Sequence, residues 1–466
     1  MHRIFIITIG LLLSQSLLAR QDISGNWSGI LTSALGELQI TINLMDDPLS
    51  GKLNSSSGIS GVELSDLQFD KGQLSFKVPA FGVSYEGKLV GNKITGTWQQ
   101  GGAEAPLTFS RAKGESQLPT RKQTPNGAEG YTSHNIQFNQ STDGTLLSGT
   151  LTLPDGDGSY SSAILLSVAG ANDRDQTHSG GHKPFLVMAD HLSKNGIAVL
   201  RLDDRGVGES EGDLFQCNFE TLVHDALSAK QFLADHPKID ASSIGFIGNS
   251  EGTVIGAMSA IRDTTVAFTI MLGAVGIPLS DLSIDRLTRM QSMYQLTELQ
   301  REEIIAYYVA LDQIINQDIP KQRKRINIEA LKASNTFDKE GFPNHLFFLP
   351  ASKEERTELY LTRWYKAQLT YHPNDVLPKL TTPSLVINGS LDVFQSPDLN
   401  FPAIQKALFK ARNTDFTLMV APQVNHVMQE AKTGLPTEYG KLDNTVSPVV
   451  LSTVTNWIQT RFGVKL

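Results

Sequence analysis

The chain has 466 residues, of which 40% are hydrophobic and 19% charged, and its formal net charge is −8. A chain of this length is expected to form two or three domains, at about 100 to 200 residues per domain. The negative charge offers no basic face to a polyanion, so nucleic acid is not expected as a partner. The single cysteine, Cys217, excludes an intramolecular disulfide.

The N-terminal residues have the pattern of a secretory signal peptide. Residues 1–19 begin with the basic Arg3, continue with an apolar stretch and end on the small residue Ala19. They predict export of the mature chain to the periplasm or the extracellular space. An uncleaved membrane anchor is the alternative, but the apolar stretch is shorter than the roughly 20 residues that a spanning helix needs. No stable membrane span is therefore expected.

Residues 22–112 are predicted to form a small all-β domain. Ile40, Ile42 and Leu44 alternate with polar residues, which is the period of a strand buried on one face. Short strands with glycine turns predict an antiparallel meander that closes into a barrel or a sandwich. Its ligand stays open, with a glycan or an envelope component as options. Residues 113–130 are polar, contain proline and glycine, and are interpreted as a linker.

Residues 131–466 alternate predicted strands with predicted helices, which indicates a mostly parallel sheet covered on both faces. The eight predicted strands are residues 134–139, 146–153, 163–168, 197–202, 244–247, 266–272, 384–388 and 416–420. Residues 276–370 interrupt this alternation with helical patterns, including a capping box at Thr297 and Gln300. The insertion is interpreted as a lid over the active site, with a helical buttress packed elsewhere as the alternative.

The segment Gly248-Asn249-Ser250-Glu251-Gly252 lies between a predicted strand and a helical stripe, which is the arrangement of a nucleophile elbow. Such a turn strains the serine backbone, and a side chain at either flanking glycine would collide with the crossing strand or helix. A second copy of the pattern surrounds Ser210, but a polar loop precedes it and no helical stripe follows. Ser250 is therefore predicted as the nucleophile and Ser210 as a loop residue.

A serine nucleophile requires a base and a third group that orients the base. Asp392 and His426 each follow a late predicted strand, so both are expected at the sheet edge where the elbow lies. The order serine, acid, histidine also fits this type of site. Asp392 is predicted as the acid and His426 as the base, with Asp398 as the alternative acid.

Two backbone amides are expected to stabilise the oxyanion of the tetrahedral intermediate. One belongs to Glu251, directly after the nucleophile, and the other is assigned to Ala171 in the loop after the strand at 163–168. Asn172 and Arg174 follow in this loop and are predicted to order it or to contact the substrate.

Three histidines, at positions 178, 182 and 191, lie close together in the sequence and raise the question of a metal site. Gly180 and Gly181 break any helix between the first two, and no cysteine joins them. Zinc is therefore not expected, and no metal or cofactor is predicted.

The segments described so far resemble exported bacterial α/β-hydrolases of the carboxylesterase group, related to the prolyl-oligopeptidase and dienelactone-hydrolase branches. The matching segments are residues 170–175, 182–185, 203–208, 248–252, 425–426 and 433–434. The resemblance spans most of residues 131–466. It implies an α/β-hydrolase fold, the catalytic set Ser250, Asp392 and His426, and activity on short acyl esters. At the oxyanion loop the chain departs from the family, which tends to have glycine and proline instead of Ala171 and Asn172.

The predicted function is hydrolysis of a small acyl ester, a carbohydrate-linked ester included, through an acyl-enzyme intermediate. A serine exopeptidase or aminopeptidase of the prolyl-oligopeptidase-like group is the alternative, and it would need carboxylates such as Glu251 or Glu209 to bind a substrate amino terminus. A binding protein with an inactive hydrolase domain is a third class. The complete set of serine, acid and histidine argues against it.

Overall fold

The computed structural model describes residues 22–33, 36–55, 62–78, 83–100, 103–111, 121–178, 181–294, 296–334 and 353–463. The predicted signal peptide, residues 1–19, lies outside these ranges. So does the first part of the predicted linker. Among the described residues, we find no helix that is both long enough and apolar enough to cross a bilayer.

The N-terminal domain is an all-β domain. Its strands in the described residues are β1 (Gly25–Ser33), β2 (Gly36–Asp46), β3 (Leu49–Ser55), β4 (Val62–Glu63), β5 (Ser65–Asp70), β6 (Gln73–Val78), β7 (Val83–Val90), β8 (Lys93–Gln100) and β9 (Ala103–Arg111). They form one antiparallel sheet in the order β4-β3-β2-β1-β9-β8-β7-β6-β5. Alternate residues, among them Trp27, Ile42 and Phe109, face a common core.

The two outer strands of this sheet, β4 and β5, are separated in the chain by Leu64 alone. The sheet must therefore curl until its edges approach each other. A single curled sheet agrees with the barrel alternative of the prediction, since a sandwich requires two sheets.

The second sheet has eight strands, at the positions that the sequence predicts. They are β10 (Tyr131–Asn139), β11 (Leu146–Pro154), β12 (Tyr160–Leu166), β13 (Ala198–Leu202), β14 (Ile239–Asn249), β15 (Thr269–Leu272), β16 (Ser384–Gly389) and β17 (Phe416–Ala421). Their order is β10-β11-β13-β12-β14-β15-β16-β17. β10 and β11 pair in antiparallel fashion, as do β11 and β13, and the remaining pairs are parallel.

Helices connect these strands and cover both faces of the sheet. The α-helices of the described residues are α1 (Pro184–Lys194), α2 (Phe219–Ala234), α3 (Glu251–Arg262), α4 (Leu279–Tyr294), α5 (Glu298–Asn316), α6 (Lys321–Ser334), α7 (Lys353–Tyr360), α8 (Arg363–Thr370), α9 (Pro373–Val376), α10 (Pro397–Lys410), α11 (Pro436–Tyr439) and α12 (Pro448–Phe462). Helices α2, α3 and α10 pack on one face and α1 and α12 on the other. Neighbouring strand residues alternate between these two cores, as Phe246 and Ile247 do in β14.

Helices α4 to α8 form the insertion between β15 and β16 and have a hydrophobic core of their own. The predicted capping box is present, because the Thr297 hydroxyl accepts from the Gln300 amide and the Gln300 side chain accepts from the Thr297 amide. The insertion is thus a compact helical unit, and two of its helices contact the site described below.

The part of the predicted linker that the structure describes, residues 121–130, contacts the second domain through its side chains. Arg121 is buried, and its guanidinium donates to the carbonyl oxygens of Tyr439, Leu442 and Asn444 at 2.9 to 3.1 Å. Gln123 also donates to the Val446 carbonyl at 2.7 Å. These polar side chains bind part-buried carbonyl groups between the end of α11 and the start of α12, a use that their composition does not reveal.

Candidate active site

The corner between β14 and α3 has the geometry of a strained elbow. Ser250 has φ 53° and ψ −109°, and its amide donates to the Leu272 carbonyl of the neighbouring strand at 2.8 Å. A Cβ on Gly248 would lie 2.2 Å from the Gly252 backbone, and one on Gly252 would lie 2.1 Å from the Leu166 carbonyl oxygen. Both glycines are therefore required by close backbone contact, as the sequence pattern indicates.

The second glycine-flanked serine has a different environment. Ser210 lies in the loop after β13, where its hydroxyl donates to the Asp203 carbonyl at 2.8 Å and accepts from the Ser148 amide at 2.9 Å. The side chain is buried. Its hydroxyl holds this loop against β11.

Asp392 and His426 are in direct contact. The loops after β16 and β17 bring them together, and Nδ1 of His426 lies 2.9 Å from Oδ2 of Asp392. The other oxygen, Oδ1, accepts from the backbone amides of Phe394 and Gln395 at 2.9 and 2.8 Å. Because the carboxylate acceptor fixes the Nδ1–H tautomer, Nε2 is left as the basic nitrogen.

The Asp392 carboxyl stays ionised although it is buried. Burial acts to raise its pKa, but the neighbouring His426, the hydrogen bond from the imidazole and the two backbone hydrogen bonds hold the pKa below its usual value. The ring of Phe394 lies 5.1 Å from the His426 ring, centroid to centroid, and restricts its orientation.

Gly273 links the histidine to the serine corner. It follows Leu272, whose carbonyl binds the Ser250 amide, and it has φ 60°. A Cβ on Gly273 would lie 3.0 Å from Cε1 of His426. The imidazole therefore lies against the backbone that also holds the serine. The structure thus brings all three predicted residues, Ser250, Asp392 and His426, to one edge of the sheet.

The alternative acid does not reach this place. Asp398 lies in the first turn of α10, and its side chain is 80% exposed beside Arg289. By contrast, Arg286 of α4 is buried against the acid loop, where its Nε donates to the Phe394 carbonyl at 3.1 Å. The insertion is therefore attached to the loop that carries Asp392.

The loop that contains Ala171 is held by a buried carboxyl from the next strand. Asp204, after β13, accepts from the Asn172 amide at 2.8 Å and from the Ser167 hydroxyl at 2.8 Å. The Asn172 side chain donates to the Val168 and Gly170 carbonyls at 2.9 and 2.7 Å. Ala171 itself is exposed at the tip. Asn172 thus makes the contacts of a loop-ordering residue.

Arg174 is also engaged within the protein. Its amide and its Nε donate to Asp203 at 2.8 and 3.1 Å, and its Nη1 donates to the Gly149 carbonyl at 3.0 Å. These contacts support a role in ordering the loop and leave the guanidinium bound to strands β11 and β13. They disfavour the alternative in which Arg174 contacts the substrate.

The two carboxylates considered for an aminopeptidase are used elsewhere. Glu251 is buried and its Oε2 accepts from Nε1 of Trp364 at 3.0 Å and from the Gln368 side chain. Burial and then the neighbouring Asp204 raise the pKa of Glu251 to about 8, so the carboxyl is mainly neutral at pH 7. Glu209 is exposed and lies 3.5 Å from Arg174. Neither is a free carboxylate for a substrate amino terminus.

The three clustered histidines do not converge. His178 and His182 stack with ring centroids 5.6 Å apart, and Nε2 of His182 lies 2.8 Å from the Thr445 carbonyl. Burial lowers the pKa of His178 to about 4. His191 lies in the last turn of α1. Within the described ranges, no group of three or more His, Cys, Asp or Glu side chains could hold a metal ion.

Comparison with known proteins supports ester hydrolysis. The chain is 24% identical over 394 residues to Esterase EstD of Thermotoga maritima, which covers 84% of this chain and 78% of that protein. It is 28% identical over 255 residues to the thiohydrolase aneE of Aspergillus aculeatus, covering 50% of this chain and 78% of the relative. The similarity to a named esterase indicates a hydrolase. No family model matches the sequence.

Among solved structures, the α/β hydrolase GrgF from Penicillium aligns with this chain at a TM-score of 0.43 and 17% identity. The alignment covers 71% of this chain and 99% of the GrgF chain. The ferulic acid complex of Est1E from Butyrivibrio proteoclasticus aligns at a TM-score of 0.42 and 14% identity. The alignment covers 70% of this chain and 98% of the Est1E chain.

Several residues of the site carry no signal in the sequence. Asp204 is one of two adjacent aspartates, and the pattern does not say which of them accepts from the Asn172 amide and which from the Arg174 amide. Arg286 and Trp364 come from the insertion, far from the motifs in the chain. A search for single polar or aromatic residues on otherwise buried helix faces could have suggested them, but their partners depend on how the insertion packs.

Proposed function

We propose that this protein is a serine carboxylesterase that hydrolyses short-chain carboxylic esters. The observation that carries the proposal is the hydrogen bond between His426 and Asp392. The imidazole of His426 also lies against Gly273, beside the corner that holds Ser250. The similarity to a named esterase over most of the chain supports the same reaction class.

In the proposed reaction, Oγ of Ser250 attacks the acyl carbonyl carbon while Nε2 of His426 takes the serine proton. The amides of Glu251 and Ala171 donate to the oxyanion of the tetrahedral intermediate. When the intermediate collapses, His426 gives the proton to the leaving alcohol. Water then attacks the acyl-enzyme by the same route and releases the acid. Asp392 orients the imidazole throughout, and no cofactor enters the reaction.

The proposal extends to two further features of the chain. Helices α4 and α8 contact the acid loop and the elbow, which supports a role of the insertion as the lid of the site. Residues 1–19 have the signal-peptide pattern, so we also propose that the enzyme acts in the periplasm or outside the cell.

A fluorophosphonate probe tests the mechanism directly, because it labels only an activated serine. Peptide mapping of the labelled protein should identify Ser250, and Ser210→Ala should be labelled like the wild type. Labelling at Ser210, or none at all, would contradict the proposal.

A substrate panel then tests the reaction class. p-Nitrophenyl esters from acetate to decanoate are compared with aminoacyl p-nitroanilides at equal concentration. We expect the short acyl esters to have the highest kcat/KM. Faster cleavage of the anilides would favour the exopeptidase alternative.

A further inference from the structure

The carboxyl group of Glu251 joins the nucleophile elbow to the helical insertion. Glu251 is the first residue of α3 and directly follows Ser250. Its Oε2 accepts two hydrogen bonds from α8, one from Nε1 of Trp364 at 3.0 Å and one from the side-chain amide of Gln368. The two donors are four residues apart and therefore lie on the same face of α8. The Oε2 atom of the residue after the proposed nucleophile thus binds two side chains on one face of α8.

This carboxyl group borders a cavity that contains a second acidic side chain. The cavity lies between the ends of β12 and β13 and the start of α3, and both Glu251 and Asp204 line it. Burial raises the pKa of Asp204 to about 7, against the hydrogen bonds from Asn172 and Ser167. Burial and the nearby Asp204 raise the pKa of Glu251 to about 8, against the hydrogen bonds from Trp364 and Gln368.

The other charged groups around the cavity are already paired. Asp203 binds Arg174, and Arg205 binds both Asp225 and Asp143. The groups that α8 presents to Glu251, an indole and an amide, are neutral donors. Within the described part of the chain, no lysine or arginine forms an ion pair with Asp204 or Glu251. Apart from their hydrogen bonds and the positive N-terminal end of α3, the two carboxyl groups have, in this part of the chain, only cations nearby that are already paired with other carboxylates.

We propose that Glu251 is a positioning residue that acts as a neutral carboxylic acid, tying α8 to the elbow without placing a negative charge beside the oxyanion hole. The inference rests on the proposed function, in which the amide of this same residue stabilises the oxyanion. A carboxylate on that residue would repel the negative charge that develops on the substrate, most strongly in a site shielded from water. Its ionisation should therefore slow the reaction.

The direction of the pH effect follows from the proton balance. Below pH 8 the carboxyl carries its proton, so the tether is present and uncharged. As the pH rises through 8 the proton leaves, and Asp204 and Glu251 are then both negative. Activity should accordingly decrease as the pH rises through this range and level off at the lower rate of the ionised form.

The first test compares Glu251→Gln with Glu251→Ala in the full chain. Glutamine keeps an oxygen acceptor for Trp364 and Gln368 and cannot ionise, whereas alanine removes the acceptor. kcat and KM for p-nitrophenyl acetate are measured from pH 6 to 10, with Ser250→Ala as the blank for spontaneous hydrolysis. The wild type should lose activity with a midpoint near pH 8.

We expect Glu251→Gln to lose the alkaline decrease, so that its activity at pH 9 to 10, relative to its own activity at pH 7, stays level where that of the wild type falls. Glu251→Ala should raise KM and lower kcat at every pH, because α8 is no longer held. An unchanged alkaline decrease in Glu251→Gln, or wild-type kinetics in Glu251→Ala, would overturn the inference.

A second readout does not depend on activity. Trp364 is one of four tryptophans, so its fluorescence is obtained as the difference between the wild type and Trp364→Phe. This difference signal should change with a midpoint near pH 8, and the change should be absent from Glu251→Gln. If this transition occurs in a protein that hydrolyses no ester, the contact between Glu251 and α8 is supported and the proposed function is contradicted. If esters are hydrolysed but no transition occurs, the inference about Glu251 is contradicted and the proposed function is supported.

Discussion

The two glycine-flanked serines of this chain share one sequence pattern but have different structures. Around Ser210 the backbone is a loop, and both hydrogen-bonding capacities of the hydroxyl are used within the protein. Around Ser250 the backbone turns sharply from β14 into α3, with the serine at φ 53°. The shared pattern thus specifies only small residues around a serine, and the strained corner forms where a strand precedes the pattern and a helix follows it.

The largest expected effect separates the two serines. Ser250→Ala should lower kcat/KM for p-nitrophenyl acetate by about 10⁶-fold, because it removes the hydroxyl on which the proposed acyl-enzyme forms. Ser210→Ala, the matched control, should keep near wild-type turnover. Both variants should have circular dichroism spectra like that of the wild type. The comparison breaks if Ser210→Ala is the variant that loses activity.

The acid partner distinguishes the two serines further, since His426 lies against Gly273 beside the Ser250 corner, whereas the Ser210 hydroxyl bonds to backbone groups of Ser148 and Asp203. Asp392→Asn should lower kcat by about 10⁴-fold, because an amide in place of the carboxylate favours the wrong histidine tautomer. Asp398→Asn is the control, as that exposed side chain lies on α10. Steady-state kinetics on the same ester decide the question. Equal losses in the two variants would leave the acid unassigned.

A smaller effect is expected from the glycine that lies between the serine corner and the histidine. Gly273→Ala places a Cβ 3.0 Å from Cε1 of His426, so the ring must move. Such a displacement should cost about 10²-fold in kcat. Gly91→Ala is a matched control, since Gly91 has nearly the same φ, 61°, and no atom near its Cβ position. Both variants should lose about 1 to 2 kcal/mol of unfolding free energy from the positive φ. Only Gly273→Ala should lose activity.

The smallest effect concerns stability alone. Ser210→Ala removes the hydroxyl that binds the Ser148 amide and the Asp203 carbonyl, both in a buried region. The free energy of unfolding should decrease by about 1 to 2 kcal/mol, because a buried donor and acceptor lose their partner. Urea titration measures this change. A variant as stable as the wild type would show that water replaces the hydroxyl.

Most of the secondary structure could be predicted because it depends on the spacing of apolar residues within short segments. The strands of the second sheet contain short apolar runs, since each is buried between two helix layers, and the structure has a strand at each predicted position. The boundaries were less exact. β14 begins at Ile239, five residues before the predicted start, because polar residues at the sheet edge continue the strand without adding to its apolar run.

The order of the strands was outside the reach of these patterns. β12 lies between β13 and β14, which reverses the order in the chain. The loops after β12 and β13 are consequently close to the elbow, and this places Ser167 and Asp204 in one cavity with Glu251. Pairing between distant strands depends on the packing of the whole sheet, which no local pattern contains.

Local sequence patterns are sufficient to identify the elbow and the candidate acid and base. The elbow requires glycine at fixed spacing around the serine, and the acid and base follow the ends of predicted strands. Contacts between side chains and groups that are distant in the chain depend on the complete fold, as for Glu251 with α8, Arg286 with the Phe394 carbonyl and Arg121 with the loop before α12. The physical reason is that backbone strain and periodic burial act over a few residues. The burial of a polar group, by contrast, depends on whatever the folded chain brings against it.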